Sequence, residues 1–392
     1  MYSFKWTPIN IVLMLLFGYL LFRSTTIGIS FYVLLFSILV YIFTMWTSMF
    51  DRMAMYIFGF ASSYALLSYI ESNTFNPHYA VYLLAPNAFY FWGKYVIKCS
   101  NSKMTIINFI LFVLIFFALN TYILTIRDII DVGLVNPYRG MLRTGDTEVV
   151  MPATLFGLNV SLGLAGLAIF LSHLRTVRKT LSYLFLIVLV FSLMTTIHLI
   201  NRTGIIVFIA CTLIVYLYNF SSKKSVMGYI IGILLFVFIV YLLFSNYIDG
   251  GSEALEAYAT RETVEDGSLS DFGNRGWRWI DALQKIFTRP LGWSGTVPYN
   301  YAHNLWLDVA MLCGIIPFMF LMFATVRSIK QLFILRNIKK DTVVAAFIAL
   351  YVCFFLTSFV EPVMVGFDVY FYLFCMLWGM QQYYPQKFRQ LQ

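Results

Sequence analysis

A chain of 392 residues with 60% hydrophobic and only 11% charged side chains, at a mean hydropathy of +0.79, would leave much apolar surface wet as a soluble globule. Its apolar residues run continuously instead of alternating, which excludes an outer-membrane barrel, a disordered chain and a soluble enzyme together. The net charge of +9 would suit nucleic acid, but its placement along the chain accounts for it without any such partner. The fold class expected is an all-α polytopic membrane protein of about 12 transmembrane helices.

Apolar runs between charges predict spans near 8–22, 27–46, 53–70, 79–93, 104–125, 151–172, 181–200, 203–220, 226–247, 304–326, 342–360 and 365–383. The first and fourth are short enough to be tilted or re-entrant. Residues Met1 to Thr7 carry one Lys and no small-residue cleavage site follows, so the first span reads as retained. Cys99, Cys211, Cys313, Cys353 and Cys375 lie in or near spans with neither metal nor disulfide spacing, and read as packing residues.

Sidedness follows from Lys and Arg. With the N-terminus inside, the inner segments hold 17 basic residues and two acids, Asp51 and Asp341, and the outer segments hold 10 basic residues and 16 acids. Both termini are then cytoplasmic. Nine of the 10 outer basic residues are Arg, against six of the 17 inner ones. Topology needs only charge, so the outer bias points to planar, multidentate anions such as phosphate.

Two outer loops are long, near 127–150 and 248–303. The second contains an amphipathic segment from Arg275 to Arg289, with Trp279, Ile280, Leu283, Ile286 and Phe287 on one face and Arg275, Arg278, Lys285 and Arg289 on the other. Asn274 is the expected N-cap and Pro290 the stop, and the helix is expected to lie on the outer membrane interface.

Three outer features carry candidate chemistry. Asn201-Arg202-Thr203-Gly204 is a very tight turn that leaves Arg202 at the membrane boundary, where a charge needs a cavity or a partner. Arg275 and Arg278 share a helix face and could hold a diphosphate. His303, in Tyr301-Ala302-His303-Asn304, is expected within the first turn of the tenth span, where the helix dipole favours neutral imidazole. His198 lies one turn before Arg202. His78 in a short outer loop and His173 at the inner end of its span are weaker candidates. Glu361, Asp308 and Asp368 are acidic candidates, whereas the run Glu262 to Asp271 lacks calcium-loop spacing. No phosphate-binding Gly-rich loop or zinc signature occurs.

In order and spacing, Arg202-Thr203-Gly204, Arg275-Gly276-Trp277-Arg278-Trp279, Pro290-Leu291-Gly292-Trp293-Ser294-Gly295, His303-Asn304-Leu305-Trp306-Leu307 and Gly314-Ile315-Ile316-Pro317 resemble the shared domain of O-antigen polymerases and O-antigen ligases. The likeness covers about 181–326, between N-terminal helices at 1–180 and C-terminal helices with a cytoplasmic tail at 327–392. It implies a bacterial inner-membrane glycosyltransferase whose one large periplasmic loop contains the amphipathic helix and whose active site is periplasmic. The donor would be a glycan on undecaprenyl diphosphate. Arg202, Arg275 and Arg278 would stabilise the diphosphate leaving group. His303 would orient or deprotonate the acceptor hydroxyl, and Glu361 would be the alternative base. Arg139, Arg143 and His198 are secondary substrate contacts, although Arg139 and Arg143 do not reproduce the paired Arg-and-Gly loop spacing of the polymerases. No cofactor, metal or nucleic acid is implied; membrane lipid and a chain-length regulator are the other partners. Polymerase is favoured over ligase, which differs only in using lipid A-core as acceptor. A transporter or flippase fits less well, because no internal repeat is evident and charges sit at span ends.

Overall fold

The computed structural model describes residues 7–24, 29–44, 50–72, 76–134, 140–142, 150–173, 179–219, 275–338, 341–364 and 368–388. Among them are thirteen α-helices: α1 (Pro8–Phe22), α2 (Ser30–Thr44), α3 (Arg52–Ser72), α4 (His78–Cys99), α5 (Lys103–Val132), α6 (Ala153–His173), α7 (Lys179–His198), α8 (Arg202–Asn219), α9 (Gly276–Thr288), α10 (Leu305–Cys313), α11 (Ile315–Arg336), α12 (Thr342–Val360) and α13 (Asp368–Phe388). A short antiparallel pair, β1 (Gly140–Leu142) and β2 (Val150–Pro152), aligns Met141 with Met151. The run near 226–247 and the loop start at 248–274 lie outside the described residues.

Four helices, at Arg52–Glu71, Lys103–Val132, Ile315–Arg336 and Thr342–Val360, are long and apolar enough to cross a membrane. Leu15, Phe31, Met55, Leu66, Leu213 and Leu217 point outward, whereas Asn10, Asn87, Asn159, Ser161, Thr195 and Thr357 are buried. Apolar outside and polar inside is a pattern stable in lipid and costly in water. The protein is a predominantly helical chain suited to a membrane.

The chain divides into two compact units, each discontinuous in sequence. The first comprises Met1–Phe109, Arg275–Ile338 and Ser358–Gln392. Here α4 packs against α2, α3 and α13, and α3 against α11. The aromatic centre is Phe17, which stacks on Phe36 at 5.4 Å and meets Phe89 and Trp92 edge-on. The backbones of α4 and α13 approach each other closely: a Cβ on Gly93 would lie 2.0 Å from Met376 O, and one on Gly379 2.0 Å from Tyr90 O. The helix α4 runs well past the expected end of the fourth span, through Lys94 to Cys99. It does so because Lys94 is not a loop residue: Nζ lies 2.7 Å from Asp51 Oδ2, which also accepts from Tyr90 Oη. Asp51 in turn caps α3 by accepting from the amides of Met53 and Ala54.

The second unit, Ile110–Asn274 and Lys339–Thr357, is seamed by hydroxyls. Tyr122 Oη meets Ser192 Oγ at 2.7 Å, Thr125 meets Thr195 at 2.9 Å, and Asn159 Nδ2 donates to Thr121 Oγ1 at 3.1 Å. Such bonds join helices where apolar packing alone gives little preference. The turn between α7 and α8 is closed by Ile200 at φ 52° and by Asn201, whose amide donates to Thr196 O and whose side chain accepts from Gly204 N. An isoleucine in the left-handed region is strained, so the adjoining helices hold it there.

Candidate functional site

The tenth expected span is not one helix. It breaks at Gly314, φ +78°, into α10 and α11, because a loop strap runs against the break. Trp293 N donates to Met311 O and Ile315 N donates to Pro290 O, both at 2.8 Å. A Cβ on Gly314 would lie 2.1 Å from Pro290 O, so only glycine admits the strap.

The strap follows α9, which ends at Thr288 just before Pro290, as expected. Asn274 lies outside the described residues, and Arg275 occupies the N-cap position without a side-chain cap. The helix has two apolar edges. Ala282 and Ile286 are buried with Trp293, Tyr299, Leu307 and Met311, while Ile280, Leu283 and Phe287 are exposed. Its basic face is partly neutralised. Lys285 bonds Asp281 at 2.6 Å, and Tyr299 Oη donates to the same carboxylate at 2.6 Å. Burial pushes the Asp281 carboxyl up, but these two partners outweigh it and hold it below the usual range.

His303 is displaced from the expected position. It lies before α10 rather than in its first turn, because Asn304 is the N-cap and accepts from Leu307 N at 3.2 Å. Asp308 folds the preceding loop onto the helix start, accepting from Ala302 N at 2.6 Å and Asn304 N at 3.1 Å. This holds His303 at φ 57°, a left-handed conformation that histidine tolerates better than branched residues. Trp279 Nε1 donates to Ala302 O and Asn304 Nδ2 to Phe359 O, tying α9 and the end of α12 to the same loop.

The result is a cluster of four expected site residues. Arg275 donates to Val360 O and places its other terminal nitrogen 3.6 Å from Glu361 Oε2. His303 Nδ1 is 4.0 Å from that same oxygen. Arg278 lies over the rings of Trp277 and Tyr299, each 5.7 Å away, and donates to Tyr301 O at 3.4 Å. Nδ1 of His303 and Nε of Arg278 are buried and make no hydrogen bond among the described residues. Burial first, then the positive fields of Arg275 and Arg278, hold the His303 imidazole down to about 3. These causes, rather than a helix dipole, keep it neutral.

A titration follows from that. Histidine-selective NMR of the purified chain should find His303 unprotonated down to about pH 5, and Arg278→Gln should raise its midpoint, since removing a positive neighbour favours the imidazolium. An imidazole that titrates near its ordinary value in the unmutated chain would contradict the geometry.

The remaining candidates belong to the second unit. Arg202 opens α8 in the second unit, with its side chain outside the described residues, as are Arg139 and Arg143. In the same unit His198 is fully buried, with Nε2 2.7 Å from Asp128 Oδ2 and Nδ1 3.0 Å from Leu134 O, so both ring nitrogens are engaged within the protein. Sequence reasoning missed Asp308 as the group that shapes the His303 loop; its place four residues after Asn304, inside the first turn, was the available signal. Among the described residues no group of three or more His, Cys, Asp or Glu could hold a metal ion. The chain matches no protein-family model and no curated protein.

Proposed function

We propose that this chain is a membrane glycosyltransferase that takes its donor glycan from undecaprenyl diphosphate at the periplasmic face and extends a second lipid-linked repeat, as O-antigen polymerases do. The observation that carries this reading is the meeting of two guanidinium groups, a neutral imidazole and a carboxylate at Arg275, Arg278, His303 and Glu361. In the same reading about twelve spans cross a bacterial inner membrane, both termini are cytoplasmic, and α9 lies on the outer leaflet with Ile280, Leu283 and Phe287 in lipid.

The donor already carries a good leaving group, so the site has to stabilise charge that develops on the diphosphate. Arg275 and Arg278 supply forked donors for it. As the acceptor hydroxyl attacks the anomeric carbon, the bond from that carbon to the phosphate oxygen breaks and the hydroxyl proton passes to the protein. A histidine held at about 3 is a poor proton sink while both arginines are unscreened. A bound diphosphate cancels their fields, which raises the imidazole and releases Arg275 from Glu361. His303 then orients the hydroxyl, and the Glu361 carboxylate receives the proton. Donor binding thereby switches on acceptor activation.

Reconstitution in proteoliposomes with a synthetic undecaprenyl-diphosphate oligosaccharide tests this. The expected product is a ladder of lipid-linked repeats with release of undecaprenyl diphosphate. Transfer only to added lipid A-core identifies a ligase instead, and lipid movement without a new glycosidic bond refutes the enzyme reading.

A further inference from the structure

A second set of polar side chains in the first unit is left unused by glycan transfer. Ser30 is the first residue of α2, His78 of α4 and Asp368 of α13. Ser30 Oγ lies 2.8 Å from His78 Nδ1, and His78 Nε2 lies 2.9 Å from Asp368 Oδ2. With Asp368 ionised, its carboxylate only accepts, and Nε2 then carries the ring proton. Nδ1 is left with its lone pair facing the serine, and the hydroxyl donates to it. This is the protonation order that a nucleophilic serine requires, with the two ring nitrogens exchanged relative to the familiar serine hydrolases.

Other features support more than a structural hydrogen bond. The His78 side chain is 36% exposed and so reachable, while Asp368 is only 12% exposed. Oδ1 of Asp368 is buried without a hydrogen-bond partner among the described residues. The edge of Tyr82 braces the His78 ring at 5.1 Å. The hydrogen bond that His78 Nε2 gives to Asp368 raises the basicity of the ring against the opposing effect of burial.

We propose that Ser30, His78 and Asp368 form a second catalytic site, a serine relay that accepts the acyl group of a carboxylic ester. The Ser30 proton moves to His78 Nδ1 as Oγ bonds the acyl carbon. The ester C–O bond then breaks, and the departing alcohol takes that proton. Water or another hydroxyl next attacks the acyl-serine, giving its proton to Nδ1 and regenerating Ser30. No oxidant, metal or other co-reactant is needed.

The test uses the full chain in detergent with a fluorophosphonate probe, read by mass spectrometry of the Ser30 peptide, and with p-nitrophenyl butyrate as ester. An adduct on Ser30 is expected, absent in Ser30→Ala and formed at least about tenfold more slowly in His78→Gln and Asp368→Asn. Ester hydrolysis should fall in parallel, and the thermal midpoint of Ser30→Ala should stay unchanged. Glycan transfer by Ser30→Ala should also persist, which separates this site from the first. No adduct on the folded chain, or equal labelling rates with and without His78, would overturn the assignment.

Discussion

Replacing His303 with alanine is expected to reduce glycan transfer at least about 100-fold while the chain stays folded and abundant in the membrane. Folding should survive because Nδ1 makes no hydrogen bond among the described residues. The loop shape comes from Asp308 and Asn304, not from the imidazole. His303→Asn provides the control for backbone strain, since asparagine readily adopts φ near 57°. Both variants should fail alike if the imidazole matters, whereas recovery in the asparagine variant would assign the residue to loop geometry. Arg275→Lys should also impair transfer, because charge is kept while the fork reaching Val360 O and Glu361 is lost. The measurement is the ladder of lipid-linked products at fixed protein, with circular dichroism confirming helix content. Near-normal ladders from His303→Ala and Arg275→Lys together would remove the proposed site.

The largest loss of stability is expected where α4 and α13 touch. Alanine at Gly93 or Gly379 puts a methyl group 2.0 Å from a main-chain oxygen of the facing helix. A flexible side chain could swing aside; a helical carbonyl cannot, so the two helices must separate. Each substitution should cost about 3 kcal/mol or more, seen as a lower thermal midpoint in detergent. Gly295→Ala is the matched control, because nothing lies within 4 Å of its added carbon. Equal midpoints for all three variants would mean that the two helices do not pack as described.

Much of this architecture could be read from residue chemistry. Long apolar runs locate α1 to α3, α6 to α8 and α12 within a few residues, and find α4, α5 and α13 but end them early, since a helix that buries its own amides is the simplest fold for such runs. Where the reading strays, a tertiary partner decides. Lys94 looks like the end of a span until Asp51 is placed beside it. Gly314 looks like one more small residue in a span until Pro290 arrives to occupy the space of its missing side chain. Arg275, Arg278 and His303 share a loop in the sequence, and that loop folds on itself, so their meeting was within reach. Glu361 joins them from 58 residues further on, a distance no local pattern bridges. The basic face of α9 is weaker than its sequence suggests for a similar reason: Asp281, one turn before Lys285, pairs with that lysine.

The strap against Gly314 has a mechanical consequence. The amide of Ile315, which starts α11, has its acceptor on Pro290 at the foot of α9, and Trp293 closes a second rung on Met311. Lifting the surface helix would strand both amides, so hinge-like opening at this seam is penalised twice. The foot of α9, the strap and the break between α10 and α11 are therefore held together by paired main-chain bonds. If the chain takes a long-tailed donor as proposed, that donor has to slide in past this seam, because the seam does not swing aside like a door.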